Sequence, residues 1–167
     1  MKVKVLGIGV VGMVMATGLA MAAGPSQKTT ESHVQLTVAQ KAPHGKYLTD
    51  SQGHALYMFS TDTPGQSSSC ADACAQAWPP LTLSGTAASA GPGINQTMVG
   101  SIQRQDGATQ VTYNGWPLYA FVQDKGPGQV NGQSKHGFGG DWALMSPTGE
   151  PVIGDQKAST EGGKKPY

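Results

Sequence analysis

Leu56-Tyr57-Met58-Phe59-Ser60-Thr61-Asp62 and Leu118-Tyr119-Ala120-Phe121-Val122-Gln123-Asp124 carry leucine, tyrosine, phenylalanine and aspartate in the same order, 62 residues apart. Gly45 and Gly53 meet Gly107 and Gly115 at the same offset, so the chain contains an internal duplication. Both stretches are apolar without strict alternation, the pattern of a strand buried on both faces. Trp78 and Trp142 follow their tyrosines by 21 and 23 residues and extend the repeat.

Outward from these strands, each copy reads as a β-meander. In the second, Ser101–Gln105 and Ala108–Tyr113 flank Asp106-Gly107, and Asn114-Gly115 follows; both pairs suit type I′ hairpin turns, whose central residues need positive φ. In the first, Val34, Leu36 and Val38 alternate with polar residues, and Asp50-Ser51-Gln52-Gly53 turns the chain into the Tyr57 strand. After the first copy, Ser69 with Asp72 three residues on is an N-cap signal for a short helix to Trp78, stopped by Pro79-Pro80. After the second, Lys125–Asp141 reads as irregular, and Trp142–Met145 turns at Ser146-Pro147-Thr148-Gly149 into Pro151-Val152-Ile153. The expected fold is mainly β: two tandem antiparallel β-meander repeats, related by a pseudo-twofold, with one short α-helix after the first. They pack either into one core or as two abutting lobes.

Lys2 and Lys4 precede an apolar run, Val5–Ala16, and Ala20-Met21-Ala22 supplies the small residues of a signal-peptidase site. Gly7, Gly9 and Gly12 interrupt the run and Gly18 follows it, and the run is shorter than the roughly 20 residues a span requires. The expected organisation is a signal peptide at 1–22, a flexible leader at 23–33, repeat 1 with its helix at 34–84 and a linker at 85–97. Repeat 2 at 98–154 and a disordered tail at 155–167 complete it. Removing Lys2 and Lys4 takes the formal net charge from +1 to −1, which gives no electrostatic reason to expect nucleic acid or an anionic membrane. A periplasmic or secreted protein without stable membrane insertion is expected.

The tyrosine, four residues, aspartate spacing at Tyr57–Asp62 and Tyr119–Asp124 resembles the repeated motif of a bacterial secreted-repeat family of unknown function, often described as predicted lipoproteins. Cys70-x3-Cys74, Trp78-Pro79-Pro80-Leu81, Gln110–Gly115 and Pro117-Leu118-Tyr119 are similar to that family as well. The resemblance covers roughly Gly45 to Gly149 and implies the fold, the duplication and export. No cysteine stands near the expected cleavage site, so a lipid anchor is not carried over.

Five residues apart on a strand, Tyr57 and Asp62 point to opposite faces, as do Tyr119 and Asp124, so neither copy makes an acid–base pair by itself. The favoured role is structural, with each tyrosine in the core and each aspartate capping the turn behind its strand. A functional role requires the symmetry to bring Asp62 and Asp124 together, to bind a cation or share a proton. Cys70 and Cys74, the only cysteines, stand at a spacing that fits a disulfide in an oxidising compartment. The sharper alternatives are a redox couple or a soft-metal site such as copper. Further ligands for it would come from His33, His44, His54, His136, Met58, Met98 and Met145, with His54 and His136 first.

The Gly-rich stretch 126–140 lacks a Walker lysine, and no Gly-x-Ser-x-Gly or His-Glu-x-x-His occurs. A non-enzymatic envelope protein is expected, binding a protein partner or small ligand through the loops after the two Tyr–Asp strands. The alternative is a periplasmic copper or redox accessory built on Cys70 and Cys74.

Overall fold

The structure, a computed structural model, describes residues 33–85 and 87–154. The expected signal peptide, all of the leader but His33, and the tail lie outside the described residues. Strands β1 (Gln35–Lys41), β2 (Gly45–Thr49) and β4 (Ser89–Ala90) form one sheet in the order β2-β1-β4. β3 (Tyr57–Phe59), β8 (Lys135–Gly137) and β9 (Gly140–Leu144) form a second, ordered β3-β9-β8. β5 (Val99–Gln103), β6 (Thr109–Tyr113) and β7 (Trp116–Pro117) form the third, in sequence order. Helix α1 spans Ala73–Ala77, and a single 3-10 turn covers Gln96–Met98.

Turn chemistry explains the hairpins and corrects one of them. Asn114 and Gly115 have φ of 50° and 82°, the type I′ geometry, and close the Tyr113–Trp116 pair. At Asp106-Gly107 only Gly107 takes positive φ. Gly107 N donates to Arg104 O, Ala108 N to the Asp106 carboxylate, and Arg104 N to Ala108 O. The turn is therefore a three-residue loop ending in a left-handed glycine, and the Asp106 side chain stabilises it without a left-handed aspartate.

The helix also starts later than its sequence suggests. Ser69 does not cap it, because its N–H and Oγ both donate to Asp62 Oδ1, at 2.7 and 2.8 Å. Asp72, at φ 49°, takes the cap position without a side-chain capping bond. The stretch from Lys125 is not wholly irregular either, since β8 pairs with β9 from Lys135↔Trp142 to Gly137↔Gly140.

Leu118–Val122 is not a continuous strand. Tyr119 exchanges both backbone hydrogen bonds with Tyr57, at 2.9 and 3.0 Å, and also bridges Pro80. Ala120 N turns to Pro79 O and Val122 N to Ala77 O, and Val122 is exposed. Burial on both faces nonetheless holds where it matters. Tyr57, Phe59, Tyr119 and Phe121 enter one apolar cluster with Trp78, Trp142 and the cysteines, whereas Leu56, Met58 and Leu118 enter another with Leu36, Leu48, Val111 and Met145.

Each repeat hands its last segment to the other. Leu81 N donates to Leu118 O and Leu81 O accepts from Val111 N; Met145 N donates to Leu56 O and Met145 O accepts from Leu48 N. β3 of repeat 1 also pairs with β9 of repeat 2, Phe59 opposite Trp142. This exchange makes one shared core and removes the arrangement of two abutting lobes. It also fixes three offsets: 63 in the hairpins (Leu48 with Val111), 62 at the Tyr strands (Leu56 with Leu118) and 64 at the ends (Leu81 with Met145).

Candidate functional site

The Tyr57–Tyr119 backbone pair lies at the centre of the pseudo-twofold, and both side chains cross it. Tyr57 Oη donates to Asp124 Oδ2 at 2.6 Å, and Tyr119 Oη donates to Asp62 Oδ2, also at 2.6 Å. Each tyrosine thus reaches the aspartate of the other repeat, an arrangement that opposite-face geometry within one strand allows. Both phenols are buried, and both carboxylates cap backbone. Asp62 accepts from Ser69 N, and Asp124 Oδ1 accepts from Asn131 N at 2.8 Å, so each aspartate closes a seven-residue loop. The two aspartates do not form a carboxylate pair; each is occupied by a phenol.

The surroundings of the two pairs differ in polarity. Tyr119 Oη accepts from Ser68 Oγ at 2.7 Å, since its own proton goes to Asp62. Ser68 Oγ accepts in turn from Arg104 Nη1 at 2.6 Å. Arg104 is 8% exposed, and it also donates to Gln110 Oε1 and to Cys70 O. Among the described residues, Tyr57 Oη accepts only from Gly132 N, at 3.2 Å.

Burial pushes the Tyr57 phenol far above its ordinary value, reinforced by the bond to Asp124 and its charge. It does the same to Tyr119, reinforced by the charge of Asp62 and the bond to it. Burial also raises the Asp62 carboxyl, opposed by the bonds from Tyr119 and Ser69 and by the Arg104 charge. Tyr47 is raised by burial and then by the charge of Asp124.

Around the axis the aromatic rings form a continuous stack. Phe59 lies on Trp142 at 4.1 Å, Trp142 on Trp78 at 3.9 Å and Trp78 on Phe121 at 4.1 Å, with interplanar angles of 9°, 1° and 25°. Tyr57 stands edge-on to Trp78 at 5.3 Å, and Tyr119 edge-on to Trp142 at 5.2 Å. The order Phe, Trp, Trp, Phe mirrors itself through the axis, which is why the two tryptophans recur after the two tyrosines.

Cys70 and Cys74 form a disulfide with Cα atoms 5.2 Å apart. Cys70 precedes α1, so the pair joins loop to helix and does not sit on one helix face. Both are buried in the aromatic cluster. His54 Nδ1 lies 3.0 Å from Asp50 Oδ2 within its own turn, and His136 Nδ1 lies 2.8 Å from Asp141 Oδ1 across the exposed β8–β9 hairpin. Met58 and Met145 belong to the second apolar cluster, Met98 packs against it, His44 is half-buried and His33 is exposed. Among the described residues no three His, Cys, Asp or Glu side chains gather as a metal-binding group.

Sequence reading missed Arg104, Ser68 and Asn131, gave Ser69 a helix-cap role in place of its bonds to Asp62, and named Gln110 only within the family-like stretch Gln110–Gly115. One signal was available for the first: Arg104 is the only arginine among eleven basic residues. The post-aspartate loops cross as well. Gly65 N donates to Gly115 O, and Gly128 N sits 3.4 Å from Gly53 O. A Cβ on Gly115 would lie 3.3 Å from Pro64 Cβ, and one on Gly53 3.0 Å from Pro127 Cβ, and both glycines have positive φ. The repeated glycines are therefore the seats on which each Pro-Gly loop docks against the other repeat.

A family model described as a secreted repeat of unknown function matches residues 38–82 and 100–145, more than half of the chain. No curated protein and no solved structure matches. Among the described residues no helix is long and apolar enough to cross a membrane. The chain belongs to this secreted-repeat family, whose function is unknown.

Proposed function

We propose that this member of the secreted-repeat family is an exported, non-enzymatic envelope module, periplasmic or secreted, that binds a protein partner or small ligand through the loops 63–69 and 125–131. The observation that supports this reading is the use made of the motif. All four Tyr and Asp side chains are consumed in internal bonds whose effect is to fix the two ends of each loop. The loop crests, Thr63–Ser67 and Pro127–Gln129, remain exposed. Exposed loops held rigidly at both ends lose little conformational entropy when they bind, which favours recognition. A copper or redox role for the cysteine pair has less support, because both sulfurs are buried and spent on each other.

The test is site-specific photo-crosslinking in the native envelope, with the photoreactive residue at Gln66, at Gln129, or at Gln103 on β5 as control. A discrete adduct from Gln66 and Gln129, absent from Gln103 and lost when the loop crests are replaced by Gly-Ser, is the expected result. No adduct from either loop, or equal adducts from the control, overturns the reading.

A further inference from the structure

We propose that the Phe59–Trp142–Trp78–Phe121 stack and its two Tyr–Asp pairs form a one-electron relay, which accepts an oxidising equivalent from a high-potential one-electron oxidant and holds it on Tyr57 or Tyr119. The oxidant's chemical class is an oxidised metal centre or a peroxide-derived radical outside the cytoplasm. This inference stands independently of the loops' role.

Three observations carry it. First, Trp78 and Trp142 are stacked in parallel at 3.9 Å and flanked at 4.1 Å on each side by a phenyl ring. A positive charge on one indole is stabilised by the facing π-systems, as any cation is over an aromatic face. Second, each indole has a tyrosine edge-on in contact, at 5.3 and 5.2 Å, so an electron moves between adjacent rings. Third, a phenol gives up an electron readily only when its proton has somewhere to go. Here both phenol protons already point at a carboxylate 2.6 Å away. A backbone carbonyl would satisfy a buried phenol equally well as a structural partner; a carboxylate is also a base, and burying two of them is costly unless each is well paired.

The step balances. The oxidant removes one electron from Trp78, leaving an indole radical cation. Tyr57 then supplies one electron to Trp78 and one proton to Asp124, giving neutral indole, a phenoxyl radical and a carboxylic acid. Trp142, Tyr119 and Asp62 perform the same step on the other side. A one-electron reductant at the surface, a reduced metal centre or an ene-diol or quinol, supplies one electron to the phenoxyl radical as the carboxylic acid returns its proton, which restores neutral phenol and carboxylate.

Access is built in by glycine. A Cβ on Gly132 would lie 2.8 Å from Trp78 Cη2 and Cζ3 and from Tyr57 Cζ, and one on Gly140 2.7 Å from Phe59 Cε2. Glycine backbone therefore packs directly on these ring edges, with the Ser60 and Thr61 side chains beside the Phe59 edge and the exposed Asn131 and Gly139 next to them in sequence.

The experiment is laser-flash oxidation of the purified full chain by photogenerated ruthenium(III) tris(bipyridine). It is run in a Trp116→Phe background, so that Trp78 and Trp142 are the only indoles. The expected result is an indole radical that converts to a phenoxyl radical, more slowly in heavy water than in light water. In Tyr57→Phe/Tyr119→Phe, which keeps the rings, the conversion should slow by about tenfold or more. Asp62→Asn and Asp124→Asn, which remove the base, should slow it as well. Indole decay at an unchanged rate in the Phe double variant overturns the proposal. So does the absence of a solvent isotope effect in the chain with both Tyr–Asp pairs intact, a reading that needs no folded variant.

Discussion

Loops 62–70 and 124–132 do the same work with different fasteners. Both leave an aspartate that accepts the other repeat's tyrosine, both return seven residues later to donate a backbone N–H to that aspartate, and both dock a Pro-Gly pair on the other repeat's turn glycine. Loop 62–70 then ends at Cys70, fastened by a disulfide and by a chain of hydrogen bonds from Arg104 through Ser68 to Tyr119. Loop 124–132 ends at Gly132, which has no side chain, lies directly under Trp78 and Tyr57, and donates its N–H to the phenol. A cysteine at 132 would put its Cβ inside the Trp78 ring's contact distance. The symmetry therefore resides in backbone pairing and ring positions, which all elements share, whereas each loop's own fastener answers to the space available on its side.

The sharpest way to break that comparison is to empty the two centres. Tyr57→Ala and Tyr119→Ala should each cost about 3 to 5 kcal/mol, as large aromatic truncations in a packed core do. Each deletion also strands a buried carboxylate in the other repeat. Urea denaturation of the two variants should give similar losses. A cost confined to one of them would show that a single pair holds the core and that the other merely repeats its sequence.

Much of this was legible beforehand. Alternating apolar residues and Asn-Gly turns announce hairpins because they act locally, and the buried faces of Leu56–Phe59 follow from an unbroken apolar run. The crossing was not legible. A single offset of 62 aligns the Tyr strands but misplaces the hairpins by one residue, because the turn Asp50–His54 is one residue longer than its counterpart, and the ends by two, because the chain from Gly132 to Met145 is two residues longer than that from Cys70 to Leu81. Only with the hairpins at 63 does Lys41 become the equivalent of Arg104. The pairing of Tyr57 with Asp124 instead of Asp62 depends on a long-range exchange of segments, which no local pattern records. Ser69 misled for a similar reason: its hydroxyl suits a helix cap, but it donates to the Asp62 carboxylate and is held in the loop, four residues before the helix begins.

A middle-sized effect separates the fasteners of the first loop. Cys70→Ala with Cys74→Ala should lower stability by about 2 kcal/mol, the chain-entropy value for so short a loop. Hydrogen exchange should rise in residues 62–70 and stay unchanged in 124–132. Arg104→Met should cost about 1 to 3 kcal/mol, because it leaves Ser68 Oγ, Gln110 Oε1 and Cys70 O short of a donor in a buried site. Equal exchange in the two loops after either change would mean that the loops are mechanically coupled and that their fasteners are shared.

The smallest expected effect belongs to Lys41, and it tests the register on which the comparison rests. At the hairpin offset of 63, Lys41 is the counterpart of Arg104, and it too reaches across to the other repeat's loop, with Nζ 2.8 Å from Gly128 O. The chemistry differs in one respect that sets the magnitude: Arg104 is buried and donates to three oxygens besides Asp106, whereas Lys41 is exposed and makes one bond in water's presence. A single solvated bond to a flexible ammonium is nearly matched by water, so Lys41→Met should change stability by no more than about 0.5 kcal/mol. The same change should still raise hydrogen exchange at Gly128 and Gln129, because the loop loses a tether even where the whole domain loses almost nothing. Exchange that rises instead at Gly65 and Gln66 would place Lys41 with the other loop and undo the assignment of the two hairpins as equivalents.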